Sequence, residues 1–337
     1  ETVSGLAVVP VPRHYGQPAP DCYFGMQIIK DLAVAERLGV KAVRQFVFWR
    51  YTEGREGHPG WGGTDTFVEQ AQQLHMDTML TLVLKAPGWA GWQLEGHPRA
   101  KDLPDPARLP EWRRFVRGAA ERYRDRVQVI EIENEPDLTC VSHPNLPLEQ
   151  GAEYYARFLA AGAAEVRASA PNLTIAGLDV SGGDLDRGLP FTRAVLAQAG
   201  QWLDLYTGHP YASPRQFAPG QHPKWPIQNR IPEKCRAALD VMQAHGRPRR
   251  MRIGELGWCL RGDMDPLSRE CLDWSACVIQ SMICAKTVPG VEKYLHFTQH
   301  GVSERGYVYG LTRGDPGYPL PAAVAYAAAA HTLNATT

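Results

Sequence analysis

No stretch of this 337-residue chain stays apolar for the roughly 20 residues that a membrane-crossing helix needs. Neither sign of charge dominates: Lys and Arg number 36 and Asp and Glu number 36, so no basic field is on hand for nucleic acid or an anionic membrane surface. Cysteine is sparse. The seven thiols (Cys22, Cys140, Cys235, Cys259, Cys271, Cys277, Cys284) include no C-x-x-C pair, which argues against a zinc site of the usual spacing. Their odd number leaves at least one unpaired within the chain, and Cys277 and Cys284, seven apart on one helix face, read as small buried hydrophobes. No G-x-G-x-x-G turn follows the first strand-like segment, as a doubly wound dinucleotide fold would usually require, and Gly182-Gly183 reads as a plain turn. A charged segment followed by an apolar one is missing at the start, so no signal peptide is visible. If one has been removed, a secreted or periplasmic location is favoured. Nothing in the sequence speaks to oligomeric state.

What is present is alternation. After a Pro-rich, irregular lead-in over residues 1–20, short segments rich in β-branched and aromatic residues fall near 23–28, 41–49, 77–84, 127–134, 173–179, 203–209, 251–255 and 293–299. Helical segments lie between and after them, at 31–38, 65–75, 110–124, 148–168, 189–200, 231–244, 267–286 and 319–333. Gly39 suits a helix C-cap and Pro110 a first helical turn. Eight strands alternating with eight helices predict an α/β fold, a single (β/α)8 TIM barrel forming one catalytic domain over 1–337. Helix-to-strand connections are short, whereas strand-to-helix connections near 50–64, 85–109, 136–147, 212–230 and 300–318 are long. In such a barrel the long set builds the site. The Arg-rich run 247–252 precedes strand seven and reads as a solvated turn at the opposite end.

Two segments carry the chemistry. In Ile130-Glu131-Ile132-Glu133-Asn134-Glu135-Pro136-Asp137, regular strand alternation would point Glu131, Glu133 and Glu135 to one face, a costly arrangement unless they are paired or used. Glu255, in Arg252-Ile253-Gly254-Glu255-Leu256-Gly257-Trp258, lies at the C-terminal end of strand seven as Glu135 does on strand four. Two carboxyls at a barrel mouth meet the needs of glycosidic bond cleavage, where one protonates the leaving oxygen while the other attacks the anomeric carbon or activates water.

The ordered set of strand ends, Asn-Glu-Pro on strand four and Glu-Leu-Gly-Trp on strand seven, resembles the clan A retaining glycoside hydrolases, family 39 first and family 5 second. The resemblance spans nearly the whole chain. It implies Glu135 as general acid/base, Glu255 as nucleophile, and Asn134 as a hydrogen-bond partner of the sugar 2-hydroxyl. It further implies Arg44 as support for the nucleophile, Tyr211 of His209-Pro210-Tyr211 as its hydrogen-bond donor, and Glu131 as a buried supporting residue. It implies no metal or organic cofactor and a carbohydrate as partner.

Two positions depart from the pattern. Glu133 stands where many relatives place Trp before the Asn-Glu pair, and could bind a sugar hydroxyl or a nearby cation. His296-Phe297-Thr298 stands where many place a strand-eight Trp, which leaves Phe297 as the candidate sugar platform. Among Trp49, Trp61, Trp89, Trp92, Trp225 and Trp258, all near the strand-to-helix side, Trp89 and Trp258 are the preferred sugar-stacking candidates. Two other functions compete: a carbohydrate-binding barrel without catalysis, and a metal-dependent hydrolase using His209, His296 and His300.

Overall fold

A computed structural model of the chain describes residues 11–12, 14–18, 21–181, 188–211, 230–261, 264–304, 307–314 and 318–333. Eight parallel strands close into one barrel in chain order: β1 (Phe24–Gln27), β2 (Ala42–Phe48), β3 (Asp77–Val83), β4 (Val129–Ile132), β5 (Thr174–Val180), β6 (Leu205–Gly208), β7 (Met251–Leu256) and β8 (Val291–Phe297), with β8 returning to β1. The helices that follow them are α1 (Leu32–Arg37), α2 (Gly62–Gln73), α3 (Leu109–Tyr123), α4 (Leu148–Ser169), α5 (Gly188–Ala199), α6 (Ile231–Ala244), α7 (Arg269–Lys286) and α8 (Pro321–Leu333). Each expected segment is therefore found, with ends shifted by a few residues. The expected Gly182-Gly183 turn, Trp225, and all of the 212–230 loop but Arg230 lie outside the described residues.

Local chemistry sets the helix ends. Asp31 accepts from the backbone N–H groups of Ala33 and Val34 and so starts α1, while Gly39 takes the left-handed φ of 90° that ends it. Ser268 caps α7 in the same way through Cys271 N. On α3 the buried residues Trp112, Phe115, Val116, Ala119, Ala120 and Tyr123 recur at helical spacing. That stripe faces the barrel and α4, where the Trp112 indole donates to the Phe158 carbonyl at 3.1 Å.

Alternation along the strands sorts the barrel interior into layers. Ala42, Met79, Val129, Ala176, Leu205 and Leu295 form a small apolar plate of their own, apart from the main core between strands and helices. Below the plate, at the N-terminal ends of the strands, Asp77 takes a two-pronged pair from Arg252 (2.8 and 3.0 Å), with Lys293 Nζ 3.6 Å away. The Arg-rich run is thus not a free solvated turn. Arg252 enters the barrel, Arg250 pairs with Glu292, Arg249 pairs with Asp240, and Arg247 donates to the Leu203 carbonyl. Of the α7 thiols, Cys277 is fully buried and Cys284 only half-buried; all seven cysteines are unbridged.

At the other end the long loops carry small elements that the sequence pattern did not reveal. They include a short helix at Trp49–Thr52 and a π-helical turn at Leu138–Ser142. Val302–Glu304, Tyr307–Tyr309 and Cys259–Arg261 make a three-stranded antiparallel sheet. Strands of three residues are too short for a period of two to stand out from chance.

Asp77 faces both Arg252 and Lys293 at the closed end. Asp77→Ala removes the carboxylate that both buried cations face and is expected to lower unfolding free energy by about 3–5 kcal/mol. Chemical denaturation reads this as an earlier midpoint; an unchanged midpoint would mean that water already serves these cations.

Candidate functional site

Above the apolar plate the interior turns polar, and its centre is Arg44. This side chain is fully buried on β2. Its Nε (2.8 Å) and one terminal nitrogen (2.7 Å) reach Glu131 Oε2 on β4, and that terminal nitrogen also contacts Asp179 on β5 and Asn134 Oδ1 (3.0 Å). The other terminal nitrogen donates to Gln27 Oε1 on β1 (3.0 Å) and stands 3.9 Å from Glu255 Oε2. Thr81 on β3 supports the array by donating to Glu131. Arg44 therefore pairs first with Glu131 and Asp179, and reaches the β7 carboxylate, which it was expected to support, only as its outermost contact.

The carboxylates of β4 do not share a face. Regular strand geometry stops at Ile132, and Glu133 (φ 69°) and Glu135 (φ 49°) both take left-handed backbone conformations. Alternation cannot be carried across such a break. Glu131 points inward to Arg44. Glu133 is buried elsewhere, accepting from the Leu84 N–H and from the Thr139 hydroxyl (3.2 Å), so it is neither a sugar ligand nor a partner of Arg44. Burial pushes its carboxyl up to about 7. Glu135 turns into the mouth, where its side chain keeps 23% exposure.

Asp179 and His209 join Arg44 to Glu135. Asp179 is fully buried, and though burial opposes its charge, Arg44 and His209 hold its carboxyl below the usual range. His209 places Nε2 2.9 Å from Asp179 Oδ1 and Nδ1 2.9 Å from Glu135 Oε1. Burial alone would lower the ring's proton affinity, but Asp179 and Glu255 reverse that and hold it well above the ordinary histidine range.

Glu255, 15% exposed, accepts from the Tyr211 hydroxyl at 2.9 Å. Burial raises its carboxyl above the usual range, with the Glu135 carboxylate adding to the shift and His209, Arg44 and Gln27 opposing it. Oxygens of Glu135 and Glu255 and a ring nitrogen of His209 all lie within 4.8 Å of one another.

Seven of the nine residues expected in the site are thus at the mouth: Glu135, Glu255, Asn134, Arg44, His209 and Tyr211 in one network, and Phe297 half-buried at the end of β8 against the Tyr309 ring (4.9 Å between centroids). The two tryptophans make packing contacts instead. Trp258 is fully buried in the main core, with no face for a sugar. Trp89 packs edge-on against Trp49, gives its indole N–H to the Glu53 carbonyl (3.1 Å) and lies under Arg108. His296, weighed as a metal ligand, is fully buried against Tyr326 of α8, and His300 contacts the Thr312 hydroxyl.

The sequence reading missed Asp179, Gln27 and an aromatic series on β2. The Arg44 guanidinium lies 4.7 Å over the Phe46 ring, which is followed by Phe48 and by Tyr51 at 70% exposure. The alternation of Arg44, Phe46 and Phe48 on one strand face was the available signal.

No protein-family model and no curated protein matches the sequence. Solved structures match in fold. A family 39 glycoside hydrolase from the gut symbiont Bacteroides cellulosilyticus WH2 superposes at TM-score 0.72 and 18% identity over 97% of this chain, which spans 66% of that protein. An exo-β-1,4-mannosidase from Opitutaceae bacterium strain TAV5 gives 0.62 at 15% identity, with 96% of this chain and 63% of that one covered. A β-glucosidase from Thermotoga maritima gives 0.62 at 14% identity, with 89% and 84% covered. The chain therefore has the (β/α)8 fold on which these glycoside hydrolases are built, and in fold it resembles family 39.

The buried Glu133 carboxyl makes stability depend on pH. Its folded-state value of about 7 exceeds the unfolded value near 4.3, so the folded form binds the proton more tightly and the stabilisation is lost as pH rises between the two. Glu133→Gln keeps an acceptor for Leu84 N and removes the titration. It should flatten that slope and add about 3 kcal/mol above neutrality, measured by denaturation at several pH values.

Proposed function

We propose that the protein is a retaining glycoside hydrolase, with residues 1–337 acting as one catalytic domain on an oligosaccharide, polysaccharide or glycoconjugate. The observation that carries this is the pair Glu135 and Glu255, whose oxygens approach within 4.8 Å at the C-terminal mouth of the barrel. Retention requires carboxyl groups about 5–5.5 Å apart, whereas inversion leaves a wider gap for water.

The contacts divide the roles. Glu255 receives a hydroxyl donor from Tyr211 and a nearby guanidinium from Arg44, the surroundings of an ionised nucleophile. Glu135, the more exposed of the two, is the proton donor to the leaving oxygen and then the base for water. Asn134, held through Oδ1 by Arg44, offers its amide nitrogen to a sugar hydroxyl. Phe297 forms the apolar platform beside the nucleophile in place of an indole. The likeness to glycoside hydrolases in fold supports the same reading.

A panel of aryl glycosides and polysaccharides is the direct test. Turnover should fall by at least about 10³-fold in Glu255→Ala. In Glu135→Ala, activity on an activated aryl glycoside should recover with azide, giving a glycosyl azide of retained configuration by NMR. Turnover unchanged in Glu255→Ala, or an inverted first product, would overturn the reading. Oligosaccharide binding by calorimetry without any product would instead favour a binding barrel. Because burial raises the Glu255 carboxyl and the nucleophile must be ionised, activity should fail on the acid side at a pH above the ordinary glutamate value of about 4.3, read from the acid limb of kcat/KM.

A further inference from the structure

The β5 backbone is distorted around one side chain. Strand pairing to β6 slips between Gly177 and Val180, and the two residues inside the slip, Leu178 (φ 78°) and Asp179 (φ 21°), both take positive φ without being glycine. Such conformations are strained and persist where the surroundings impose them. The distortion brings both polar ends of Asp179 to the site. Its carbonyl accepts from the Glu135 N–H at 3.2 Å, and its carboxylate lies between Arg44 and His209. Facing it on β7 is Gly254, where an added Cβ would come within 2.5 Å of Asp179 Oδ1 and 3.4 Å of His209 Nε2. Space, backbone and counter-charge are all arranged for this carboxylate, which the two-glutamate mechanism does not itself employ.

We propose that Asp179 is a positioning residue for the acid/base: it keeps the His209 ring protonated on both nitrogens, so that Nδ1–H is donated to Oε1 of Glu135 and Oε2 is left to handle the transferred proton. This rests on the glycosidase reading for its catalytic consequence, but not for the state of the ring. The groups facing His209 are Asp179 from β5, Glu135 and Asp137 from the segment after β4, Glu255 from β7, and Tyr211 beside it, with Arg44 behind Asp179. The surrounding carboxylates favour the imidazolium, in line with the upward shift of His209.

The proton count closes. In the first step the proton on Glu135 Oε2 passes to the glycosidic oxygen, which leaves with the electron pair of the broken C–O bond while Glu255 bonds to the anomeric carbon. The new charge on Glu135 is met by the imidazolium already hydrogen-bonded to Oε1. In the second step water gives its proton to Oε2 and its oxygen to the anomeric carbon, and Glu255 departs as carboxylate. The His209 protons stay on the ring throughout, so Asp179 acts on the strength of Glu135 as an acid and not on the nucleophile.

The test has two readouts. The first, independent of any substrate, is 15N NMR of His209 in the wild-type protein and in Asp179→Asn at pH 7. Both nitrogens should be protonated in the wild type and one should lose its proton in the variant. The second compares two glycosides of whichever sugar the wild type cleaves, one with 2,4-dinitrophenol as leaving group, which needs no acid, and one with phenol, which does. Asp179→Asn should lose about tenfold or more in kcat/KM on the phenyl glycoside beyond its loss on the dinitrophenyl one. Equal losses on both, or a wild-type ring carrying a single proton, would overturn the proposal. Should Asp179→Asn not fold, the wild-type spectrum still decides. If no glycoside is cleaved while the ring behaves as expected, it is the glycosidase reading that fails.

Discussion

A single buried guanidinium organises the upper half of this barrel. Arg44 carries a full charge into the buried interior, which is tolerable only when several oxygens surround it in fixed geometry. Those oxygens come from Gln27, Glu131, Asn134 and Asp179, on or just beyond β1, β4 and β5. Because the cation's geometry is rigid and planar, strands contributed by distant stretches of chain are held to one arrangement. Thr81 extends the hold to β3, and Glu255 on β7 feels it at longer range. The charge then runs outward: Arg44 to Asp179, Asp179 to His209, His209 to Glu135.

The same region is where the backbone leaves its regular conformations. Glu133 and Glu135 after β4, and Leu178 and Asp179 on β5, take positive φ on two adjacent strands, tied by the bond from Glu135 N to the Asp179 carbonyl. Strain of this kind gathers where side chains must be aimed against the natural pleat. Here it turns Glu135 and Asp179 toward the His209 ring between them, and Gly254 leaves the room in which Asp179 and His209 meet.

How far this was legible follows from which physical signal each feature leaves. The strands and helices follow from hydrophobic period and cap residues, and all of the barrel's elements were visible in that way. The place of Glu135 and Glu255 at the mouth was legible because a barrel fixes where the C-terminal strand ends lie. Alternation served up to Ile132 and misled at Glu133, because it presumes a regular strand beyond the point where this one stops. Asp179 looks like an ordinary acidic residue ahead of a turn; nothing local reports that β5 slips there. Position near the mouth does not say which way an indole points, so Trp258 read as a sugar-stacking candidate and is core. The arginines at the start of β7 looked solvated because their partners, Asp77, Leu203, Asp240 and Glu292, lie on other elements of the chain.

The barrel's lower end has a bearing on traffic. Among the described residues, the apolar plate and the Asp77, Arg252 and Lys293 cluster beneath it fill the axis, which leaves the mouth as the way into the site. In the reaction proposed for this site, the departing group and the incoming water must use that doorway in turn, and the space one vacates is the space the other fills. Any alcohol that settles there first would be joined to the sugar instead. For that proposed reaction, Phe46, Phe48 and the exposed Tyr51 would be the aromatic surface on which such an alcohol competes with water.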